Sequence, residues 1–126
     1  MITAGSGFTI IDDTFNSNPA GARSALAKLV RSANGGETAL ITPGMVELGR
    51  LQTEENRSFA AEASRQVDHL VLVGRTNRKA LLRGSANGDA SVTVVDTRDE
   101  AVAWARENLG PGDVVLYEND LPDHYP

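Results

Sequence analysis

The sequence predicts an α/β domain, a three-layer sandwich built on a mainly parallel sheet of about five strands. Three observations predict it. Short β-branched runs alternate with longer amphipathic segments along the whole chain. The run Leu70-Val71-Leu72-Val73 is wholly apolar, as expected for a strand covered on both faces. Strand-helix alternation at this spacing implies right-handed crossovers between parallel strands. A length of 126 residues fits one domain with a real core.

The elements follow in order. Phe8 to Asp12 reads as the first strand, after a short Gly/Ser lead. A helix runs from about Pro19 to Ala33, with Ala22, Leu26, Leu29 and Val30 recurring at helical spacing. Asn34-Gly35-Gly36 stops it, Thr38 to Thr42 is the second strand, and Pro43-Gly44 forces a turn. Thr53 is placed to cap a helix carrying Phe59, Ala60, Ala63 and Val67 on one face. The apolar third strand follows, then a weaker helix over Asn77 to Arg83 and a turn at Asn87-Gly88-Asp89. Ser91 to Asp96 is the fourth strand. Thr97 and Glu100 form a capping-box pattern opening a helix through Leu109, with Val102 and Ala105 inward and Trp104 at the edge. Gly110-Pro111-Gly112 breaks this helix before the last strand, Val114 to Tyr117. The architecture is Rossmann-like.

Composition excludes several functions. There are no cysteines, so disulfides, thiolate metal sites and a Cys nucleophile are out. A net charge of -5 argues against a surface built to hold nucleic acid. No apolar run is long enough to cross a bilayer, and Met1 to Gly7 has neither the basic start nor the apolar core of a secretion signal, so the cytoplasm is the expected compartment. A strand that begins almost at once suggests a domain cut from a longer chain, although a short natural N-terminus looks the same. Among nucleotide motifs, neither a Gly-x-x-x-x-Gly-Lys-Ser/Thr loop nor Gly-x-Gly-x-x-Gly after the first strand is present, and there is no Gly-x-Ser-x-Gly elbow. His69 and His124, at a strand start and in the tail, read as incidental. A receiver-like domain would need a further Asp and a Lys at later strand ends, and neither is in place. No metal site is expected within this chain.

Two clusters carry chemistry. In Asp12-Asp13-Thr14-Phe15-Asn16-Ser17-Asn18-Pro19 an apolar strand ends in two carboxylates and passes into a helix start. Asn18 can cap that helix, and Pro19 suits its first turn because the missing N–H would have no partner there. Ligands of open parallel sheets bind at such strand ends, although an ordinary strand-to-helix connection accounts for the same residues. The second cluster, Pro43-Gly44-Met45-Val46-Glu47-Leu48-Gly49, is too long for a simple turn and lies at the same sheet edge. It reads equally as a structural loop, with Met45 and Leu48 under a helix and Glu47 in solvent.

Together the clusters resemble the Mur ligase C-terminal domain, with its Asp-Asp-(Ser/Thr)-Tyr-Asn-Ala-Asn-Pro and Gly-Asp-Met-Leu-Glu-Leu-Gly motifs. The resemblance is closest to the branch that adds D-alanyl-D-alanine to a UDP-muramoyl tripeptide. His69-Leu70-Val71-Leu72-Val73-Gly74 and Pro111-Gly112-Asp113-Val114-Val115-Leu116 match later strands, so it covers nearly the whole chain. It implies the third domain of an ATP-dependent amide ligase of peptidoglycan precursor synthesis. Other domains of the same chain would hold the P-loop, Mg and the UDP-muramoyl peptide. This one would close over ATP and present an amino-acid or dipeptide acceptor to an acyl phosphate, with no catalytic residue of its own and no activity in isolation. The resemblance assigns Asp13, Phe15 and Asn16 to the nucleotide, Asp13 at the ribose. It assigns Asn18, Met45, Glu47 and Asn56 to the substrate cleft, with Asn18 also open as a plain cap. Phe15 stands where Tyr is usual, Pro43 replaces a motif Asp, and Asn56 stands roughly where relatives carry His. The last strand runs into Glu118-Asn119-Asp120 and an acidic tail instead of Lys-Gly-Ser-Arg and a closing helix. The alternative from another class is a freestanding nucleotide- or peptide-binding module without ligase activity.

Overall fold

A computed structural model describes residues 2–5, 7–13 and 18–118, the first of these segments as backbone. Six strands and four helices follow one another as β1 (Ile2–Gly5), β2 (Phe8–Asp13), α1 (Pro19–Arg31), β3 (Thr38–Thr42), α2 (Gln52–Ser64), β4 (His69–Val73), α3 (Arg78–Ser85), β5 (Ser91–Val95), α4 (Arg98–Asn108) and β6 (Val114–Glu118). The sheet order is β1-β2-β6-β3-β4-β5. Five strands are parallel, giving the Rossmann-like α/β class expected, and β1 adds an antiparallel edge by pairing Ile2 with Ile11 through Gly5 with Phe8. The expected Gly/Ser lead is therefore mostly strand. Four residues without a clear alternation carry little strand signal until β2 supplies the ladder they join.

The two faces have separate cores. On one, Ala22, Leu26, Phe59, Ala63 and Leu81 of α1 to α3 pack on Ile11, Leu40, Leu70, Leu72 and Leu116. On the other, Ala101, Ala105 and Leu109 at α4 cover Phe8, Ala39, Ile41, Val71 and Val115. The split follows from crossover handedness. The chain moves outward from β2 to β5 with its helices on one face, then reverses through α4 on the other to place β6 between β2 and β3. The parallel strands thereby all end on one side of the sheet, the side on which such sheets bind ligands.

Several boundaries differ from expectation for local reasons. A 3-10 turn, Gly49–Leu51, feeds α2, so Leu51 and not Thr53 stands at its N-cap, with no side-chain cap. Val67 is buried beyond the end of α2. Val30 is 36% exposed, and Ala25 takes the inward place on α1. Val102 is half-buried, leaving Ala101 and Ala105 as the inward face of α4. The capping box of Thr97 and Glu100 is present in full. His69 makes an edge contact with half-buried Trp104 at 5.3 Å, and its Nε2 lies within hydrogen-bond distance of Glu37 Oε1 at 3.0 Å, so His69 and Trp104 have structural places.

Candidate functional site

The site residues stand where three parallel strands end side by side. Asp13 of β2 lies in register with Glu118 of β6, and the β3–β6 ladder pairing Ile41 with Tyr117 brings Thr42 next to Glu118. Alternation puts all three on the α1–α3 face, since Asp13 follows Ile11, Glu118 follows Leu116 and Thr42 follows Leu40. Asp13 is half-buried, whereas Asp12 points to the other face and is exposed. Asn18 caps α1, its Oδ1 accepting from Gly21 N at 2.7 Å, and Pro19 takes the first turn. Phe15 and Asn16 lie outside the described residues.

Glu118 is the unusual member of the row. It is 0% exposed; its Oε1 accepts from the Thr42 hydroxyl at 2.7 Å, and its Oε2 has no hydrogen-bond partner. Burial pushes its carboxyl up to about 8, Thr42 opposing and the negative charge of Asp13 adding to the rise. The unfolded chain ionises this group near 4.5 while the folded chain holds the proton to about 8. Between these values the unfolded state binds fewer protons. Glu118 therefore contributes stability that is full below 4.5 and is lost as pH rises to about 8. Denaturant unfolding is expected to show this loss, with a slope approaching about 1.4 kcal/mol per pH unit, and Glu118→Gln is expected to abolish it. An unchanged slope in the variant would assign the loss to other groups.

The loop after β3 is held from beneath by three side-chain amides. Asn56 Oδ1 accepts from Met45 N at 2.8 Å, and Asn56 Nδ2 donates to Met45 O at 2.9 Å. Asn77 Nδ2 donates to Pro43 O at 3.0 Å and Met45 O at 3.1 Å. Gln52 Nε2 donates to the same Met45 carbonyl and to Asn77 Oδ1, while its Oε1 accepts from Leu48 N at 3.1 Å. The clamp needs Gly44, whose φ is +82° and whose Cβ would stand 2.6 Å from Asn56 Oδ1 and 2.8 Å from Asn77 Nδ2. Met45 and Asn56 are both 0% exposed, so Met45 serves as core and Asn56 as a fastener of the loop. Glu47 is exposed, with φ 64°, at the tip. Asn18 and Glu47 thus present polar groups to solvent, while Met45 and Asn56 shape the loop from within.

Sequence reasoning passed over Gln52, Asn77, Thr42 and Glu118. Two side-chain amides at helix starts were the available signal for the clamp. Glu118 reads as one more acid of an acidic tail, and only the sheet register places it inside.

The fold is a parallel α/β domain in which β2 and β3, the strands that lead into the two motif segments, end on the same side of the sheet. The family described as "Mur ligase, glutamate ligase domain" matches residues 1–117, and the chain belongs to it. It is similar to UDP-N-acetylmuramoyl-tripeptide--D-alanyl-D-alanine ligase of Mycobacterium leprae (strain TN), 34% identical over 92% of this chain and 26% of that relative. The ligase of the same name from Mycobacterium tuberculosis (strain ATCC 25618 / H37Rv) is 35% identical over 92% of this chain and 27% of the relative. The chain thus spans about a quarter of the length of these curated relatives. In fold it is similar to MurF from Acinetobacter baumannii, with a TM-score of 0.79 and 22% identity over 95% of this chain and 27% of that one. It is also similar to MurF ligase from Thermotoga maritima in complex with ADP, with a TM-score of 0.77 and 19% identity over 94% of this chain and 26% of that one. No helix among the described residues is long and apolar enough to cross a membrane.

Proposed function

We propose that this chain is the C-terminal domain of a longer, cytoplasmic, ATP-dependent amide ligase of peptidoglycan precursor synthesis. It closes over ATP and positions an amino-group acceptor, D-alanyl-D-alanine or a similar compound, for attack on an acyl phosphate of the UDP-muramoyl peptide. The observation that carries the reading is that Asp13 and the clamped Gly44–Leu48 loop stand at the same end of the sheet, from sequence segments 31 residues apart (13 to 44). The names of the relatives and the ADP complex of the Thermotoga maritima protein support it. Asp13 is half-buried at the end of β2, and a carboxylate can accept hydrogen bonds from two vicinal ribose hydroxyls. Phe15 and Asn16 join it at the nucleotide in this reading, and Glu47 faces the substrate side. In this reading Mg, like the phosphate cradle, belongs to a central domain of the longer chain.

The test is Asp13→Asn in the full-length enzyme, with Asp12→Asn as control. Losing a charge-assisted hydrogen bond is worth about 1.5–3 kcal/mol, so the apparent KM for ATP should rise roughly ten- to hundredfold. Asp12, on the opposite face, should leave ATP kinetics unchanged. The reverse pattern would move the ribose contact to Asp12, and no effect from either would remove it from this strand.

A further inference from the structure

The row Asp13, Glu118 and Thr42 holds one group for which the ligase reading has no use: a fully buried carboxyl with half its bonding capacity empty. Among the described residues its neighbours are acidic, neutral or apolar. From β2 it faces Asp13, and from β3 the Thr42 hydroxyl. The α1 residues packed over this face are Ala22, Ala25, Leu26 and Leu29. The α1 guanidinium of Arg23 is turned to α2, where it meets Glu55, Glu62 and Ser58. An ionised carboxylate there would be desolvated, bonded through one oxygen only and on the strand next to a like charge. Neutral, it fits. The Thr42 hydroxyl that donates to it also accepts from Gly44 N at 2.9 Å, so one chain of hydrogen bonds runs from β6 through β3 to the head of the motif loop.

We propose that Glu118 is a positioning residue for these strand ends: with its proton on, its bond to Thr42 fastens β6 to β3 with Asp13 alongside on β2, and on losing it the side chain leaves the interior and frees Thr42 and the end of β2. Its bearing on nucleotide affinity rests on the reading of Asp13 above, whereas the latch itself does not. Burial raises the carboxyl to about 8, which puts the release just above neutrality.

The experiment is an NMR pH titration of this chain, from about pH 6 to about pH 9.5, following backbone amides and the Glu118 carboxyl carbon. The amides of Asp13, Thr42, Gly44 and Glu118, in three separate segments, should move together with the carboxyl, at a midpoint near 8. Glu118→Gln should keep the low-pH spectrum throughout and lose that midpoint. A carboxyl midpoint below about 6 would overturn the proposal without need of a variant, so a Gln variant that fails to fold does not protect it. A titration confined to Glu118, with Asp13 and Thr42 static, would overturn it too, because the carboxylate would then ionise in place. None of these readings involves ligase activity, so failure of the latch and failure of the ligase reading are separable.

Discussion

Replacing Gly84 by alanine is expected to destabilise the chain by roughly 3 kcal/mol, although at an unpacked helix position the same change stabilises by about 1 kcal/mol. The sign is set by the contact between α2 and α3. A Cβ at Gly84 would lie 2.1 Å from the Arg57 carbonyl oxygen and 2.9 Å from Ala60 Cβ. The first of these is backbone, so no rotamer change relieves it and the helices must separate. Separation strips packing from Leu81 and Phe59, both in the larger core. The gain in helix propensity is small against that loss. Urea unfolding of Gly84→Ala beside Gly35→Ala separates packing from backbone strain: Gly35 has φ +86° and nothing within 4 Å of its would-be Cβ. The Gly35 change should cost about 1–2 kcal/mol, and equal costs would refute the close-packing account.

Asn56→Ala is the second large effect expected, roughly 3 kcal/mol. It leaves Met45 N, a buried donor with Asn56 as its partner, without an acceptor, and it takes one of three donors from Met45 O. An orphaned buried N–H alone costs about 1–3 kcal/mol. Because Gln52 and Asn77 still hold the carbonyl, the loop is expected to tilt about Met45 O rather than detach. Asn56→Asp keeps the acceptor for Met45 N and loses the donor to Met45 O, so it should be milder than alanine near pH 4, where an aspartate carboxyl is about half protonated, and harsher at pH 8. Unfolding curves at both values check the order. An Asp variant as stable as wild type at pH 8 would mean that the site is wet.

Much of this molecule was legible because its local signals agree with its fold. Asn18 and Pro19 announce the start of α1, Thr97 and Glu100 that of α4, and the apolar run at Leu70 announces a strand covered on both faces. The two motif clusters were legible as text, and the parallel topology brings them together. What escaped depends on partners distant in sequence. Asn77 looks like a helix start, yet its amide is spent on Pro43 and Met45, more than 30 residues away (77 to 43 and 45). Glu118 carries a formal charge, and a charge in a polar tail looks solvated until the register of three strands encloses it. β1 has no signal of its own strong enough to outweigh its glycine-rich surroundings.

The strand order has a consequence for how such a domain comes into being. β6 is made after the other described strands and lies between β2 and β3, hydrogen-bonded to both. As the chain emerges from a ribosome, β2 and β3 are complete long before the strand that must separate them. They either wait apart, held by α1, or pair prematurely and have to be prised open. Parallel pairing across such sequence separation is slow because loop closure precedes any reward in contacts. The row that Asp13 and Thr42 form with Glu118 therefore has no existence until residues 114–118 arrive, and it comes into being together with the completed sheet.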